Sequence, residues 1–373
     1  MKTVWIFNHY AAPPSVSTAI RHYNFGKYLM KADYGVKIFA ASAVHNSSVQ
    51  FIRNRKPYLA YDDEKVPFVF IRTRQYAGNG IGRILNILDY YRRLFKAIKH
   101  FEKPDVILAS SFHPLTCVAG IKIAKKLHIP CICEVRDLWP ESLIVYKGLR
   151  RSNLIVKALS RTEQWIYEHA DKLIFTMEGG IDYIKEHGIN VNEEDVLYIN
   201  NGVDLEAFHR NAELFQVSDV DLSDEDQFKV VYTGSIRFVN AVGDLVAVAE
   251  ILRQQAPKVK LLIWGTGTDA EKISADISRR GLNNIILKGS ASKNEIPSIL
   301  SQSDATLLHS RSSSILKYGI SQNKLFEYLA AAKPVISTLD FNYNFIATDH
   351  AGITAWSESP DDIAAAILEL SNC

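Results

Sequence analysis

The stretch YGISQNKLFEYLAAAKPVI, residues 318–336, joins a polar loop to a short apolar helix and then to a strand. Pro334 ends the helical pattern, and the residues after it are β-branched. Lys324 and Glu327 are three positions apart and therefore share one face of the helix. The first turn of a helix carries unpaired N–H groups and a partial positive charge, which Lys324 strengthens. The stretch therefore predicts an α/β protein with an anion site at this helix.

The same alternation of strand and helix extends along the whole chain. Residues 17–32, 115–127 and 152–169 have apolar positions at helical spacing. The segments predicted as strands are TVWIFN, VKIFAAS, PFVFIRTR, DVILASS, PCICEV, KLIFTM, VLYINN, KVVYTGS, KLLIWGTG, NIILKGS, ATLLHS and PVIST. Strands that alternate with helices indicate mostly parallel sheets.

The chain has 373 residues, which is too long for one ordinary core and suits two domains. The pattern restarts after the acidic stretch VSDVDLSDEDQ, residues 217–227. We therefore predict an N-terminal domain over 1–205, an acidic linker over 206–227 and a C-terminal domain over 228–373, whose last helix lies near 360–371. Ligands bind at the carboxyl ends of parallel strands, so the expected site is a cleft between two doubly wound domains.

The net charge is +2, but the positive charge is concentrated in the first part of the chain. Residues 1–200 have about nine more Lys and Arg than Asp and Glu, and the remainder has about seven fewer. A basic half of this kind suits nucleic acid, anionic lipid or a phosphorylated substrate, and the charge alone does not distinguish them.

The sequence lacks the features of a membrane-spanning or exported chain. It has no run of about 18 uncharged apolar residues, and its N-terminus MKTVWIFNHY does not follow the plan of a signal peptide. The four cysteines have no C-x-x-C spacing, which favours buried thiols in a reducing compartment. We therefore expect a cytosolic protein.

Several motifs together resemble a known family. TGSIR (233–237), LKGSASKNEIPSILSQSDATLL (287–308) and the opening stretch resemble the nucleotide-sugar domain of the retaining glycosyltransferases of family 4. The resemblance implies the GT-B fold, in which two doubly wound Rossmann-like α/β domains face each other across a cleft. It also implies a UDP-sugar as donor.

The first half is similar to one branch of that family, which adds N-acetylated aminosugars, often 6-deoxy ones such as N-acetylfucosamine, to lipid-linked intermediates of bacterial surface polysaccharides. The motifs that carry this similarity are NHYAAPPSVSTAIRHYNFGKYL (8–29), PDVILASSFHPLTCVAG (104–120), EVRDLWPES (134–142), FTMEGGIDYI (175–184) and INNGVD (199–204). The implied acceptor is a polyprenyl diphosphate that carries a saccharide, and the implied pathways are those of O antigen, capsule or exopolysaccharide.

The resemblance implies that Lys324 and Glu327 bind the nucleotide-sugar donor. Glu327 is expected to accept hydrogen bonds from the two ribose hydroxyls, which suits an ionised carboxylate, and Lys324 is expected to face the diphosphate. The alternative is that the two residues form only a solvated pair on the helix surface. The nucleotide-sugar-binding residues predicted in this way are Gly234, Ser235, Arg237, Gly319, Ile320, Asn323, Lys324, Leu325 and Glu327.

The sequence departs from the family pattern at Gly319, where the family usually has a second acidic residue that meets the donor sugar. Recognition of the sugar is therefore expected to rest on the loop ILKYGIS, and a donor lacking one hydroxyl is compatible with it. Arg237 is expected at the pyrophosphate, with a domain-interface ion pair as the alternative.

In the first half, His113 follows a predicted strand and is expected to contact the transferred sugar or the acceptor hydroxyl, with a structural histidine as the alternative. Arg136, Asp137 and Glu141 are expected on the acceptor side. The Arg136–Asp137 pair could instead brace its loop, and Glu141 is a candidate base. The candidate catalytic residues are His113, Arg237, Lys324 and Glu141.

A retaining transfer without an evident nucleophile implies front-face attack, in which the leaving diphosphate helps to take the proton of the acceptor. We expect no metal and no cofactor. The motif DVD (219–221) could suggest a metal site, but it lies in the predicted acidic linker, where we expect a solvated face.

Residues 78–101 have an amphipathic pattern with aromatic and basic residues. Arg92, Arg93, Lys96 and Lys99 suit an interfacial helix on an anionic membrane, where a lipid-linked acceptor would be reached. The alternative is a helix that only packs on the sheet. The segment 146–161 adds further positive charge. We therefore predict a peripheral protein at the inner face of the cytoplasmic membrane.

The sequence thus predicts a glycosyltransferase. A UDP-sugar 2-epimerase of the same architecture is the alternative among enzymes, and a non-catalytic nucleic-acid-binding protein is a more remote one. The similar enzymes usually end with a helix that returns to the first domain, whereas this chain ends at DDIAAAILELSNC. A truncated chain is one explanation of that difference.

Overall fold

The computed structural model describes residues 1–17, 20–45, 47–62, 65–78 and 80–372. The chain divides into two compact units, Met1–Asn200 and Asn201–Cys373. The expected domain end at 205 and the expected linker over 206–227 therefore differ from the structure. Residues 201–227 belong to the second unit, because Phe208 and Leu222 are buried in one of its hydrophobic clusters.

The first unit contains one sheet with helices along the chain between its strands. The strands are β1 (Thr3–Phe7), β2 (Gly35–Ala41), β3 (Tyr58–Tyr61), β4 (Phe68–Ile71), β5 (Val106–Ser111), β6 (Cys131–Val135), β7 (Lys172–Phe175) and β8 (Val196–Tyr198). The helices are α1 (Arg21–Lys31), α2 (Ile81–Ala97), α3 (Pro114–Leu127), α4 (Glu141–Lys147), α5 (Leu154–His169) and α6 (Gly180–Glu186).

The strand order in this sheet is β3-β4-β2-β1-β5-β6-β7-β8. Every pairing is parallel except that of β3 with β4, which is antiparallel. The chain first builds outward from β1 on one side and then continues from β5 on the other. The carboxyl ends of β1 and β5 therefore form the topological switch point, where doubly wound sheets bind ligands.

The second unit repeats this architecture on a smaller scale. Its strands are β9 (Phe228–Thr233), β10 (Val259–Trp264), β11 (Ile285–Gly289), β12 (Ala305–Leu308), β13 (Val335–Ser337) and β14 (Gly352–Thr354). Its helices are α7 (Leu205–Leu214), α8 (Leu245–Gln255), α9 (Ala270–Arg279), α10 (Ile296–Ser301), α11 (Asn323–Ala330), α12 (Phe345–Thr348) and α13 (Pro360–Ser371).

The second sheet has the order β11-β10-β9-β12-β13-β14, and all of its pairings are parallel. Its switch point lies at the carboxyl ends of β9 and β12. The strands are apolar on both faces because helices cover both sides of the sheet: Val230 and Tyr232 belong to one hydrophobic cluster, and Val231 belongs to another. Two Rossmann-like units of this kind confirm the predicted GT-B fold.

Candidate active site

The loop that follows β9 packs closely against the loop that follows β10. A Cβ atom added to Gly265 would lie 1.8 Å from the carbonyl oxygen of Gly234, and one added to Gly267 would lie 2.0 Å from that of Ile236. The backbone N–H groups of Gly234 and Ile236 donate to the oxygens of Trp264 and Thr266. The motif GTG over 265–267 is by itself a weak sequence signal for a nucleotide site. In the structure its glycines allow the close approach that positions the loop after β9, where the pyrophosphate is expected.

Arg237 ends this loop with an exposed side chain, and the structure shows no ion pair or hydrogen bond of its guanidinium with any described residue. Ser235 is fixed from the other side, because Asn240 Nδ2 donates to its backbone oxygen and to its Oγ, both at 2.7 Å. Gly234 has a φ of 150°. The loop thus keeps one free guanidinium beside a braced backbone.

A second arginine, which the sequence analysis did not single out, comes to the same loop. Arg311 follows β12, its guanidinium carbon lies 4.2 Å from the centre of the Phe238 ring, and its Nε donates to the Phe238 oxygen at 3.0 Å. The signal available in the sequence was its position just after a strand at the switch point. Arg311 adds positive charge next to Arg237.

Lys324 lies in the first turn of α11. Its Nζ donates to the carbonyl oxygen of His309 at 3.2 Å and lies 4.2 Å from the centre of the Tyr232 ring. Burial lowers the pKa of Lys324 from 10.5 to about 7. The structure holds this amino group against a carbonyl oxygen and an aromatic face, and among the described residues no carboxylate pairs with it.

Glu327 lies on the same helix but has a different partner. Its carboxylate forms an ion pair with Lys293, a residue of the loop between β11 and α10 that the sequence analysis missed. The alternative of a solvated Lys324–Glu327 pair is wrong for this structure, because each side chain contacts another element. Glu327 is mostly buried, with 14% of its side chain exposed, whereas Lys293 is 40% exposed.

The remaining predicted donor residues surround the start of α11. Gly319 has a φ of 95°, a backbone conformation that favours glycine, and Asn323 is exposed at the first position of the helix. The side chains of Ile320 and Leu325 are buried in a hydrophobic cluster with Tyr328. Their predicted contact with a ligand is therefore restricted to the backbone.

In the first unit, His113 and His9 meet at the switch point. His9 follows β1, His113 follows β5, and His113 Nε2 lies 2.9 Å from His9 Nδ1. The other nitrogen of His9, Nε2, lies 2.6 Å from Asn86 Oδ1 on α2. Burial lowers the pKa of His9 to about 3 and that of His113 well below its usual value. Both imidazoles are therefore neutral at pH 7.

The predicted acceptor-side residues have separate environments. The guanidinium of Arg136 stacks on Phe112 at 4.4 Å and forms no ion pair with Asp137, which is exposed. The alternative, in which an Arg136–Asp137 ion pair braces the loop, is therefore not seen among the described residues. Arg136 has the Phe112 ring as its contact instead, and the charge of the buried Glu134 carboxylate also favours the guanidinium.

Glu134 forms a buried charged cluster that the sequence analysis missed. Its carboxylate is 2.8 Å from Arg21 Nε and 2.8 Å from His22 Nε2, and Ser110 Oγ donates to it at 2.6 Å. Burial alone would raise the pKa of Glu134, but His22 and Arg21 hold it well below its usual range. The cluster ties α1 to the ends of β5 and β6.

Glu141 begins α4 and is 7% exposed. Its Oε1 lies 2.8 Å from Arg151 Nη1 and 3.4 Å from His187 Nε2, and Arg151 Nη2 donates to Oε2 at 3.0 Å. Both carboxylate oxygens therefore have partners within the first unit. This arrangement favours a structural role, and the proposal of Glu141 as a base stays a prediction without support from its surroundings.

The predicted membrane helix is α2, and its two faces differ. Leu94 is fully buried against the sheet, whereas Ile84 and Leu85 are 56% and 37% exposed. Arg92, Lys96 and Lys99 are exposed. Arg93 is partly buried and donates to the Arg72 oxygen at 3.0 Å. The helix therefore packs on the sheet and also exposes apolar and basic residues. No helix in the described part of the chain has both the length and the apolarity needed to cross a bilayer.

The motif DVD does not behave as the expected solvated face. Lys288 Nζ lies 2.6 Å from Asp219 and 2.5 Å from Asp221, and Lys260 Nζ lies 3.8 Å from Asp221, so both carboxylates are paired with lysines of the second unit. Across the ranges that the structure describes, no three His, Cys, Asp or Glu side chains are arranged to hold a metal ion.

Two family models match the chain. The model described as Glycosyltransferase Family 4 matches residues 20–207, which is half of the chain, and the model described as Glycosyl transferases group 1 matches residues 227–373. The two Rossmann-like units and these matches define a glycosyltransferase with the GT-B fold. The chain belongs to glycosyltransferase family 4. A search of the curated proteins found no match.

Solved structures with the same fold include three that match nearly the whole of this chain. WaaG, which is involved in lipopolysaccharide biosynthesis, has a TM-score of 0.66 at 13% identity over 99% of this chain and 90% of its own. HepE from Anabaena, solved with UDP and glucose, has a TM-score of 0.61 and 14% sequence identity, and the match covers 98% of this chain and 89% of HepE. The trehalose 6-phosphate synthase from Burkholderia multivorans has a TM-score of 0.72 and 13% sequence identity, and the match covers 99% of this chain and 90% of the synthase. At these identities the likeness establishes the fold.

Proposed function

We propose that this glycosyltransferase moves an N-acetylated sugar, 6-deoxy sugars included, from a UDP-sugar to a lipid-linked acceptor in the synthesis of O antigen, capsule or exopolysaccharide. The observation that carries the proposal is the position of the Lys324 amino group, which a bound anion would hold in its charged form. It lies beside the β9 loop at the second switch point, and no carboxylate in the described part of the chain neutralises it. An anionic ligand is the partner that such a group lacks.

Each part of a UDP-sugar has a candidate partner in the second unit. The diphosphate would meet Lys324, Arg237 and the N–H groups of the loop Gly234–Ser235. The ribose hydroxyls would donate to the carboxylate of Glu327, which also contacts Lys293. Lys293 then orients that carboxylate. The structure of HepE with UDP and glucose is compatible with uracil as the base.

Gly319 bears on the choice of sugar. Its positive φ of 95° leaves no room for the acidic residue of the family pattern without backbone strain. We therefore propose that backbone groups of the segment ILKYGIS, residues 315–321, meet the donor sugar. A sugar without the hydroxyl that a carboxylate would bind is the donor class that this loop favours.

The proposed reaction retains the anomeric configuration and needs neither metal nor cofactor. The acceptor oxygen bonds to the anomeric carbon on the face that the diphosphate leaves, the bond from that carbon to the diphosphate oxygen breaks, and the acceptor proton passes to the diphosphate. The protein then mainly stabilises the negative charge of the leaving group through Arg237 and Lys324.

The proposed acceptor is a polyprenyl diphosphate that carries a saccharide, reached at the inner face of the cytoplasmic membrane. The exposed residues Ile84, Leu85, Arg92 and Lys96 of α2, together with Lys99 in the turn that follows it, have the composition of an interfacial surface. Leu154 and Ile155 at the start of α5 are 81% and 61% exposed and add apolar area. The fold relative WaaG acts in lipopolysaccharide biosynthesis, which is compatible with this acceptor class.

A thermal-shift screen of UDP-sugars, followed by a transfer assay on a lipid-linked acceptor, tests the proposal. Transfer predicts a product that depends on the acceptor. Formation of UDP from UDP-N-acetylglucosamine without any such product would favour the 2-epimerase. Salt-sensitive binding to oligonucleotides with no affinity for UDP-sugars would favour a nucleic-acid-binding protein.

A further inference from the structure

The tautomer of His113 is determined by two residues that lie far from it in sequence. The first of them is Asn86, whose Nδ2 donates to the backbone oxygen of Arg74 at 2.6 Å. A carbonyl oxygen can only accept, so this bond fixes the orientation of the Asn86 amide. The oxygen Oδ1 of the amide therefore faces His9 Nε2 at 2.6 Å and must receive a proton from it.

The proton on His9 then determines the proton on His113. Because His9 is neutral and carries its proton on Nε2, its Nδ1 has a lone pair and accepts. His113 Nε2, 2.9 Å away, must donate to that lone pair. Since His113 is also neutral, its Nδ1 has no proton and is a hydrogen-bond acceptor.

The Nδ1 atom of His113 is the open end of this chain of hydrogen bonds. It is buried, and no described residue donates to it. The residue occupies the N-cap position of α3, but its side chain makes no capping hydrogen bond. An unsatisfied buried acceptor costs free energy and calls for an explanation, which a functional role would provide.

We propose that His9 and Asn86 are positioning residues, which hold His113 in the Nε2–H tautomer so that Nδ1 accepts a hydrogen bond from a substrate hydroxyl. This inference rests on the proposed function for the identity of the substrate, but the tautomer itself does not depend on it. In this state His113 favours the hydroxyl of a sugar over a phosphate or carbonyl oxygen, because two acceptors facing each other repel.

Nitrogen-15 NMR of histidine-labelled, ligand-free protein measures the tautomer directly, with the His113 resonances assigned by their loss in His113→Asn. The wild-type protein should show a protonated Nε2 and an unprotonated Nδ1. Asn86→Leu removes the amide and should give a mixture of tautomers at His113. A proton on Nδ1 in the wild-type protein, or an unchanged tautomer in folded Asn86→Leu, would overturn the proposal.

Tyr90→Phe is the matched control, because Tyr90 lies one turn from Asn86 and its ring lies 4.7 Å from the His9 ring. Its hydroxyl donates to the Phe39 oxygen and to neither imidazole, so the tautomer should not change. His9→Gln retains an acceptor for His113 and should keep the Nε2–H form, whereas His9→Leu should lose it. Equal behaviour of these two variants would count against a hydrogen-bonded relay.

The hydroxyl contact has its own readout. Saturation with UDP-N-acetylglucosamine should shift the His113 Nδ1 resonance upfield, whereas saturation with UDP should not. An unchanged resonance at saturation by UDP-N-acetylglucosamine would overturn the contact. Failure of this compound to bind would count against the proposed function instead. In the transfer reaction, His9→Leu should lower kcat by about tenfold to a hundredfold, and His9→Gln should recover most of that loss.

Discussion

The ammonium group of Lys324 lies 4.2 Å from the centre of the Tyr232 ring, so a residue of α11 closes over the end of β9. Tyr232 is fully buried, and Lys324 also donates to the backbone oxygen of His309 at the end of β12. The lysine thus joins the two strands that form the switch point of the second unit. Neither partner carries a formal negative charge, which leaves the site ready for an anion.

This environment predicts proton uptake when a diphosphate binds. Burial lowers the pKa of Lys324 to about 7, so at pH 8 the side chain is mostly neutral in the free protein. A bound diphosphate favours the charged form and raises the pKa again. Binding of UDP at pH 8 should therefore take up nearly one proton. Calorimetry in buffers with different ionisation enthalpies measures this uptake.

Lys324→Met is the control for that experiment and should bind UDP with little proton uptake.

The same pKa predicts a stability effect whose sign is opposite to that of a salt-bridged lysine. Between pH 7 and about 10.5, Lys324 is protonated in the unfolded chain but not in the folded chain. The free energy of unfolding therefore increases as the pH rises through this range. A wild-type slope equal to that of Lys324→Met in this range would contradict the assignment.

Replacing Arg92, Arg93, Lys96 and Lys99 by Gln should release the protein from anionic vesicles. Each basic residue near such a surface contributes about 1 kcal/mol, so the four together should weaken binding by orders of magnitude. Co-sedimentation with vesicles of phosphatidylglycerol and phosphatidylcholine measures the bound fraction.

The matched control carries the same change of charge on the second unit. Arg210, Lys258, Lys272 and Arg279 are exposed, and they comprise the same number of Arg and Lys residues. Their replacement by Gln should leave most of the binding in place. Equal losses in the two variants would indicate that only net charge matters and that α2 is not the contact surface.

Gly265→Ala should destabilise the second unit. The added Cβ would lie 1.8 Å from the carbonyl oxygen of Gly234, so the β9 loop must move. Overpacking of this kind typically costs about 1–3 kcal/mol. Urea denaturation measures the loss, with Gly243→Ala as control, because the nearest atom to its added Cβ would be Ile273 at 3.7 Å. Equal midpoints for the two variants would refute the close packing of the loops.

Transfer activity should not require a metal ion. The charge of the leaving diphosphate is assigned to Arg237 and Lys324, and the carboxylates of the DVD motif are already paired with Lys288. Activity in excess EDTA should therefore remain within about twofold of the control. Complete loss of activity that magnesium or manganese restores would overturn this part of the account.

The sequence predicted the strands of both sheets well where the residues are apolar and are followed by a loop, as in β1, β5 and β9. It missed the edge strands β3 and β14, whose residues YLAY and GIT do not form the apolar β-branched run that marks the other strands. It also took residues 206–227 for a linker, because the acidic run concealed Phe208 and Leu222, whose burial depends on tertiary contacts.

The candidate site was only partly visible in the sequence. Lys324 and Glu327 were found from their spacing, but their partners lie on other elements: Lys293 is 34 residues from Glu327. Asn86 is 77 residues from His9. A polar residue on the buried face of α2 does not by itself indicate that it contacts a residue that follows β1. Such pairs depend on the sheet order, which local patterns do not determine.

The central claim is that Glu327 and Lys324 bind different parts of one ligand, and the affinities for uridine, UDP and a UDP-sugar test it most directly. Glu327→Ala should weaken all three, whereas Lys324→Ala and Arg237→Ala should weaken UDP and the UDP-sugar but not uridine. Hydrogen bonds to charged groups contribute about 1.5–3 kcal/mol, so each affected affinity should fall by about ten- to a hundredfold. Calorimetry measures all three. Equal weakening of uridine and UDP by Lys324→Ala would contradict the account, because the lysine would then support only the fold of α11.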